Sequence, residues 1–229
     1  MMPSTLLPGL VQLSPEQIVR IPIVDGFQSP LGTPNGAFTY DAQPFGSPNP
    51  TRGGNHTGQD LNGIGGANTD EGQSVYAAGR GLVVYAGKPH AVWGNVVVLA
   101  HRLPGDARVI QTLYAHLGEI HVRTGQLLPR GARVGTVGTA DGAYLAHLHF
   151  EAIASRCTEA GMHAYMENGV MNRIDPEELL AHHPAPALPD PYSAVRLLRI
   201  REAALQAPAT ESPQNMPEGS LQVNPSQFL

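Results

Sequence analysis

Cysteine is almost absent from this chain of 229 residues, and long apolar runs and strongly basic segments are missing altogether. Because Cys157 is the single cysteine, no disulfide can form within the chain, and we expect it to be an ordinary structural thiol. No apolar run approaches the ~20 residues that a membrane span requires. Residues 1–13 have no basic leader, and Pro3 and Pro8 interrupt their short apolar stretch, so no signal peptide is visible.

Charge is also scarce, since Asp, Glu, Lys and Arg make up 14% of the residues and the net charge is −5. A chain of this charge without a segment dense in Lys or Arg is not expected to bind nucleic acid. Glycine and proline, in contrast, are abundant, with 26 and 21 residues. They indicate many turns and irregular connections, and this favours a β-rich fold over a helical bundle.

Strand-like apolar runs follow one another from residue 74 to residue 153, with Gly or Pro between them and no convincing helix. The predicted strands are Val75–Ala77, Gly81–Ala86, Asn95–His101, Val109–His116, Arg133–Gly138 and Leu145–Ile153. This spacing predicts an all-β fold with an antiparallel sheet core.

Short peripheral helices are predicted on both sides of this core. Ser14 and Gln17 can form a capping box around a proline at the first helical position, and Asp175 precedes a second such proline. Residues 30–54, rich in Gly, Pro, Asn and Ser, are expected to form a long ordered loop. The predicted division is an N-terminal arm with a short helix at 1–37, a folded domain at 38–184, and at 185–229 a Pro-rich linker, a possible helix at 190–206 and a disordered tail.

The segment from His147 to Glu151 places two imidazoles on one face of a predicted strand. Since side chains alternate along a strand, His147, His149 and Glu151 share one face, while the residues between them form an apolar face that can be buried. Two imidazoles and a carboxylate on rigid backbone suit a zinc site or an acid–base site. Spacing alone does not decide which of the two histidines would bind a metal.

A second pair of possible ligands lies upstream, at His56 and Asp60. On a straight strand the two residues would be about 13 Å apart, too far for one ion. The glycines in and around the segment make a helix improbable. We therefore expect the chain to bend sharply here, with Gly58 permitting the bend, so that His56 and Asp60 can fold over the strand that carries His147 and His149.

The order of these segments resembles the lysostaphin/LytM family of zinc metalloendopeptidases, which cut peptide bonds in bacterial peptidoglycan. The resemblance covers about residues 38–154 and rests on an ordered set of short motifs. These are His56-Thr57-Gly58-Gln59-Asp60, Val75-Tyr76-Ala77-Ala78, Gly81-Leu82-Val83-Val84-Tyr85-Ala86-Gly87, Trp93-Gly94-Asn95-Val96-Val97, Leu113-Tyr114-Ala115-His116-Leu117, Gly125-Gln126, and His147-Leu148-His149-Phe150-Glu151.

The resemblance implies the duplicated hybrid β motif of the family in the domain at 38–184, and it implies one Zn²⁺ per chain held by His56, Asp60 and His149. Three protein ligands with one open position are typical of catalytic zinc. The two further histidines of the family match His116 and His147, which are expected to share the proton transfers around a metal-activated water.

The implied function is hydrolysis of peptide cross-links in peptidoglycan by a monomer located outside the cytoplasmic membrane. One alternative is a catalytically silent relative that binds or activates other wall hydrolases, although such relatives usually lack some zinc ligands and all five positions are present here. Another is a sugar-phosphotransferase carrier with a related β fold and a phosphorylated histidine, in which His56 and Asp60 would have no obvious role.

Several other residues are left with open or structural interpretations. Glu151 is either a partner of the metal ligands or a solvent-facing carboxylate, and Tyr114 and the Trp93-Gly94-Asn95 segment either line a substrate groove or pack in the core. The remaining histidines are expected to be surface or structural residues: His90, His101, His121, His163, His182 and His183.

Overall fold

A computed structural model of the protein describes residues 10–34, 36–159, 165–166 and 172–186. The two helices among them are α1 (Pro15–Arg20) and α2 (Pro176–His182), with a single 3₁₀ turn at Ala91–Trp93. The strands are β1 (Leu10–Gln12), β2 (Thr39–Gln43), β3 (Pro48–Asn49), β4 (Gly54–His56), β5 (Gln59–Gly63), β6 (Ser74–Tyr76), β7 (Gly81–His90), β8 (Gly94–Arg102), β9 (Val109–Ile120), β10 (Leu127–Leu128), β11 (Arg133–Val137), β12 (Leu148–Ala154), β13 (Cys157–Glu159), β14 (Tyr165–Met166) and β15 (Arg173–Ile174).

One antiparallel sheet organises the fold, with its main strands in the order β10-β7-β8-β9-β12-β5-β2. Strand β11 extends it by pairing with β6 and with the end of β9, and β15 pairs with β12. Two smaller sheets join β1 to β13 and β3 to β4 and β14. The predicted antiparallel β fold is therefore confirmed.

The sheet buries apolar side chains on both faces. Along β12, Leu148, Phe150 and Ala152 point into one apolar cluster, whereas Ile153 points into the other. Strand β9 divides its side chains between the same two clusters. A sheet covered on both faces leaves a polar residue on an inner strand no access to water, so such a residue has to find a partner within the protein.

Several apolar side chains between residues 13 and 31 pack into these clusters. Ile21 is fully buried in one cluster, and Phe27 and Leu31 are buried in the other. Helix α1 begins with the predicted capping box, in which Gln17 N–H donates to Ser14 Oγ at 3.2 Å and Ser14 N–H donates to Gln17 Oε1 at 2.9 Å. This part of the chain therefore contributes to the same core as the sheet.

The predicted loop at 30–54 requires a correction, because β2, β3 and the start of β4 lie within it. Strand β2 forms the edge of the main sheet by pairing with β5. The segment is rich in turn residues and has a weak intrinsic preference for a strand, but pairing with β5 makes it a strand all the same. Helix α2 begins after Asp175 as predicted, with the Asp175 side chain accepting from Glu177 N–H at 2.9 Å. The possible helix at 190–206 lies outside the described residues.

His101 is a fully buried histidine in the core beneath the sheet. Its Nδ1 donates to the carbonyl of Arg80 at 2.7 Å, and its Nε2 lies 2.8 Å from the hydroxyl of Thr112. Since a carbonyl only accepts, Nδ1 carries the proton and the neutral imidazole satisfies both partners. Burial lowers the pKa of His101 from 6.5 to about 4, because the charged form would lose its hydration. The expectation that this histidine is structural fits these contacts.

The buried neutral state of His101 predicts that the protein loses stability in mild acid. Between pH 6.5 and pH 4 the unfolded chain takes up a proton at this residue and the folded chain does not, so the free energy of unfolding falls as the pH falls, by up to about 1.4 kcal/mol per pH unit. Urea unfolding at a series of pH values measures the slope. In His101→Gln the slope should be shallower, whereas the exposed His121→Gln should keep it. Equal slopes in wild type and His101→Gln would contradict this assignment.

Candidate metal centre

Strand β12 lies between β5 and β9, and its register sets His149 directly opposite Asp60 on β5 and Ala115 on β9. Residues opposite each other in antiparallel strands place their side chains on the same face of the sheet. Asp60 and His149 are therefore neighbours on the face opposite to that of Phe150.

His56 reaches the same place from β4 through a sharp bend at Thr57 and Gly58. A Cβ atom at Gly58 would lie 2.4 Å from the carbonyl oxygen of Phe150. The predicted bend is present, but the glycine is required because the backbone passes so close to β12, not because of a left-handed φ. The bend brings the two ends of the His56–Asp60 segment together, which a straight strand would hold apart.

Three donor atoms converge where these elements meet. His56 Nε2 lies 3.1 Å from His149 Nδ1 and 3.3 Å from Asp60 Oδ1, and His149 Nδ1 lies 2.9 Å from Asp60 Oδ1. In a tetrahedral zinc site with bonds of about 2.0 Å, neighbouring ligand atoms are about 3.3 Å apart. Two imidazole nitrogens and one carboxylate oxygen at these separations fit a zinc ion with one position left open.

The second ring nitrogen of His149, Nε2, also has a partner within the protein. Its Nε2 lies 3.0 Å from Glu151 Oε1, and Glu151 is fully buried, so the interpretation of Glu151 as a solvent-facing carboxylate is wrong. Burial acts to lower the pKa of His149, but hydrogen bonds to Asp60 and Glu151 outweigh burial and raise this pKa to about 9. Burial also opposes ionisation of Asp60, but hydrogen bonds from His149 and His56 hold the pKa of its carboxyl well below its usual range.

His116 comes to the site through a β-bulge. Asn95 pairs with Leu117 and Val97 pairs with Tyr114, so Ala115 and His116 both lie opposite Val96. By strict alternation His116 would follow Tyr114 onto the Phe150 face, and the extra residue turns it onto the His149 face instead. His116 has a φ of +59°, an uncommon conformation for a residue with a side chain.

The two histidines beside these three donors, His116 and His147, are held in the same tautomer by backbone carbonyls. His116 Nδ1 donates to the carbonyl of Trp93 at 3.2 Å, and His147 Nδ1 donates to the carbonyl of Leu145 at 2.8 Å. Their rings lie 4.8 Å apart, and the Nε2 of each is left as the proton acceptor. Burial, together with the neighbouring imidazoles of His149 and His147, lowers the pKa of His116 to about 3, so this ring is neutral at physiological pH.

Aromatic side chains form the walls around these imidazoles. The ring of Trp93, 5% exposed, meets the ring of His149 edge to face at 5.3 Å, and the ring of Tyr144 lies 4.8 Å from that of His116. The guanidinium of Arg52 lies 5.4 Å from the centre of the Tyr144 ring. Of the two aromatic candidates from the sequence, Trp93 thus borders the site, whereas Tyr114 is buried beneath the sheet with its hydroxyl accepting from Ala78 N–H at 2.8 Å.

The structure thus brings together all five predicted site residues. The side chains of His56 and His149 are buried, while those of Asp60 and His147 are 17% and 12% exposed and mark the open side. Two further side chains donate hydrogen bonds to Glu151, those of Thr57 and Arg173, and the sequence did not indicate either of them.

The other histidines that the structure describes lie away from this site. His121 Nε2 contacts the Glu119 carboxylate at 2.9 Å, and His182 and His183 lie at the end of α2. His90 lies on β7, and His163 falls outside the described residues. Within the described ranges, the one group of at least three His, Cys, Asp or Glu residues that could share an ion is His56, Asp60 and His149.

Residues 54–160, which contain all five site residues, match peptidase family M23. This segment of the chain is therefore similar to peptidase family M23. The resemblance to lysostaphin and LytM is thereby confirmed, and the solution structure of lysostaphin has the same fold, with a TM-score of 0.50 and 22% identity over 71% of this chain and 57% of that chain. A phosphotransferase carrier is not supported.

Two curated relatives match part of this chain. Peptidoglycan DD-endopeptidase ShyA of Vibrio cholerae is 38% identical over 82 residues, which are 36% of this chain and 18% of ShyA. Cell division protein DipM of Caulobacter vibrioides is 36% identical over 81 residues, which are 35% of this chain and 12% of DipM. The match thus spans less than a fifth of either relative. Among the described residues, no helix is long and apolar enough to cross a membrane.

Gly58→Ala is predicted to damage the metal centre by pushing the His56 bend away from β12. The new methyl group would clash with the Phe150 carbonyl, and overpacking of this kind costs about 1–3 kcal/mol. We expect a lower melting temperature and weaker zinc binding, measured by thermal unfolding and chelator competition. Gly53 has open space for a methyl group but a φ of +80°, which strains any residue with a side chain. The control Gly53→Ala should therefore lose stability without losing zinc affinity. Wild-type zinc affinity in Gly58→Ala would contradict the role of this close contact.

Zinc is predicted to stabilise the folded protein through these three ligands. A ligand that binds only the folded state raises the free energy of unfolding by about 4 kcal/mol when its free concentration is a thousand times its Kd. Chelator-treated protein should therefore melt at a lower temperature, and added zinc should restore the melting temperature in wild type but not in His149→Ala. An equal response of both proteins to zinc would exclude His149 as a ligand.

Proposed function

We propose that this protein is a zinc-dependent endopeptidase that hydrolyses peptide cross-links of bacterial peptidoglycan. The observation that carries the proposal is the convergence of three donor atoms at 2.9–3.3 Å beside two imidazoles whose Nδ1 atoms contact backbone carbonyls. A peptidoglycan hydrolase is also supported by the M23 match and by relatives named as peptidoglycan endopeptidases.

In this proposal His56, Asp60 and His149 hold one Zn²⁺ per chain. Zinc with three protein ligands and an open position acts as a Lewis acid that makes water a stronger nucleophile at neutral pH. The protein's own contribution is to hold the three donors rigidly, with His56 and His149 buried and Asp60 at the open side.

His116 and His147 share the proton transfers of the hydrolysis. Because their Nδ1 atoms donate to backbone carbonyls, each ring can accept a proton at Nε2 from the attacking water and later return one to the nitrogen of the departing amine. An imidazolium in the same place also stabilises the negative charge that develops on the carbonyl oxygen of the substrate. The buried His116 and the partly exposed His147 thus supply the acid–base function.

The walls around the site suit an extended peptide. Tyr144 is partly exposed and offers an aromatic surface beside the imidazoles of His116 and His147, and the loop that carries it is tied to β7 by an ion pair between Asp141 and Lys88. Because the substrate is cell-wall peptide, we place the protein outside the cytoplasmic membrane, and we expect it to act as a monomer. A catalytically silent binding module is less well supported, since all five site residues are present and lie together.

His116→Ala is the variant that separates chemistry from metal binding. The substitution leaves the three ligands intact, and loss of an acid–base group slows hydrolysis by about 10²–10⁴-fold. We expect one zinc per chain in both wild type and variant. Only wild type should release cross-link fragments from purified peptidoglycan, and mass spectrometry detects these fragments.

The exposed His121→Ala serves as the matched control and should cleave as wild type does. Zinc binding without cleavage by wild-type protein would favour the binding module, and undiminished cleavage by His116→Ala would remove His116 from the mechanism.

A further inference from the structure

Glu151 is a fully buried carboxylate that receives hydrogen bonds from three separate parts of the chain. Thr57 Oγ1 donates to Oε1 at 2.5 Å, His149 Nε2 lies 3.0 Å from the same oxygen, and Arg173 Nε donates to Oε2 at 3.1 Å. Because Thr57 directly follows His56, this one carboxylate connects both histidines of the ligand set to Arg173.

Arg173 approaches from a strand that lies beyond the M23 segment. It begins β15, where it pairs with Ile153 on β12, and its side chain is 1% exposed. Its Nη1 also donates to Asn172 Oδ1 at 3.0 Å. Since the match to the family ends at residue 160, the support that Arg173 gives to Glu151 comes from outside the matched segment.

Fold stability alone gives little reason for a buried ion pair at this position. Removing an arginine and a glutamate from water costs several kcal/mol, and apolar residues of similar volume often serve as well or better. The pair does, however, neutralise the charge of Glu151 and fix the direction of its carboxylate. A fixed carboxylate behind a metal-binding histidine sets both its tautomer and its orientation.

We propose that Arg173 is a positioning residue for the metal centre, which acts on His149 through Glu151. Arg173 and Thr57 hold the carboxylate so that it accepts the Nε2 proton of His149, and the lone pair of Nδ1 is then directed towards His56 and Asp60. Without Arg173, Glu151 loses one of its three partners and His149 can rotate or change tautomer. This inference rests on the proposed zinc function, and it makes β15 part of the functional unit.

The test compares zinc affinity and the cobalt spectrum in four forms of the full chain: wild type, Arg173→Met, Arg173→Lys and Thr57→Val. Zinc affinity is measured by competition with a chromophoric chelator, and the visible absorption of the Co²⁺-loaded protein reports the geometry of the ligands. Arg130→Met is the matched control, because the Arg130 side chain is also largely buried but binds Gln28 and Asp25 instead.

We expect Arg173→Met to weaken zinc binding by about 10–100-fold and to change the cobalt bands, as is usual when an outer partner of a metal ligand is lost. Arg173→Lys, which retains the charge, should recover part of the affinity. Thr57→Val, which removes a single hydroxyl and tests the same carboxylate if Arg173→Met does not fold, should lose affinity severalfold. Arg130→Met should change the melting temperature only.

Wild-type affinity and an unchanged cobalt spectrum in folded Arg173→Met, or in Thr57→Val if Arg173→Met does not fold, would overturn the inference while leaving the zinc enzyme intact. Equal losses in Arg173→Met and Arg130→Met would overturn it as well, since the effect would then be general destabilisation. Wild-type protein that binds no zinc would overturn the proposed function and this inference with it.

Discussion

The hydrogen-bonded register of β12 between β5 and β9 is the constraint on which the site depends. It places His149 opposite Asp60 on one side and opposite Ala115 on the other, and a shift of one residue would turn His149 into the apolar cluster occupied by Phe150. The packing of Leu148, Phe150 and Ala152 on the other face makes such a shift costly. The apolar side of the strand therefore fixes the position of the polar side.

The polar side has to satisfy its buried groups without water, and it does so with charges of alternating sign. Asp60 and Glu151 contact the two nitrogens of His149, and Arg173 contacts Glu151 in turn. Burial alone would favour the neutral form of each group, yet the chain of contacts keeps the carboxylates ionised. The surrounding protein thus fixes the orientation of the three donor groups, and the proposed zinc ion would meet donors that are already in place.

Much of this arrangement could be predicted from local sequence, and the rest depends on contacts between distant segments. Alternation along 146–152 indicated the two faces of β12, and the geometry of His56 and Asp60 required a bend at Gly58. The bulge that turns His116 into the site has no local signal, because it arises from the unequal pairing of β8 and β9. The burial of Glu151 was undecidable from sequence, since it depends on β15 and Arg173, which lie more than twenty residues along the chain.

The ligand set is the central claim, and anomalous diffraction at the zinc absorption edge tests it most directly. Crystals of the zinc-loaded protein should show one strong anomalous peak per chain, about 2.0–2.2 Å from His56 Nε2, Asp60 Oδ1 and His149 Nδ1, with His116 and His147 outside bonding distance. A peak bound by His147 or His116 in place of His149, or no peak between β4, β5 and β12, would contradict the account.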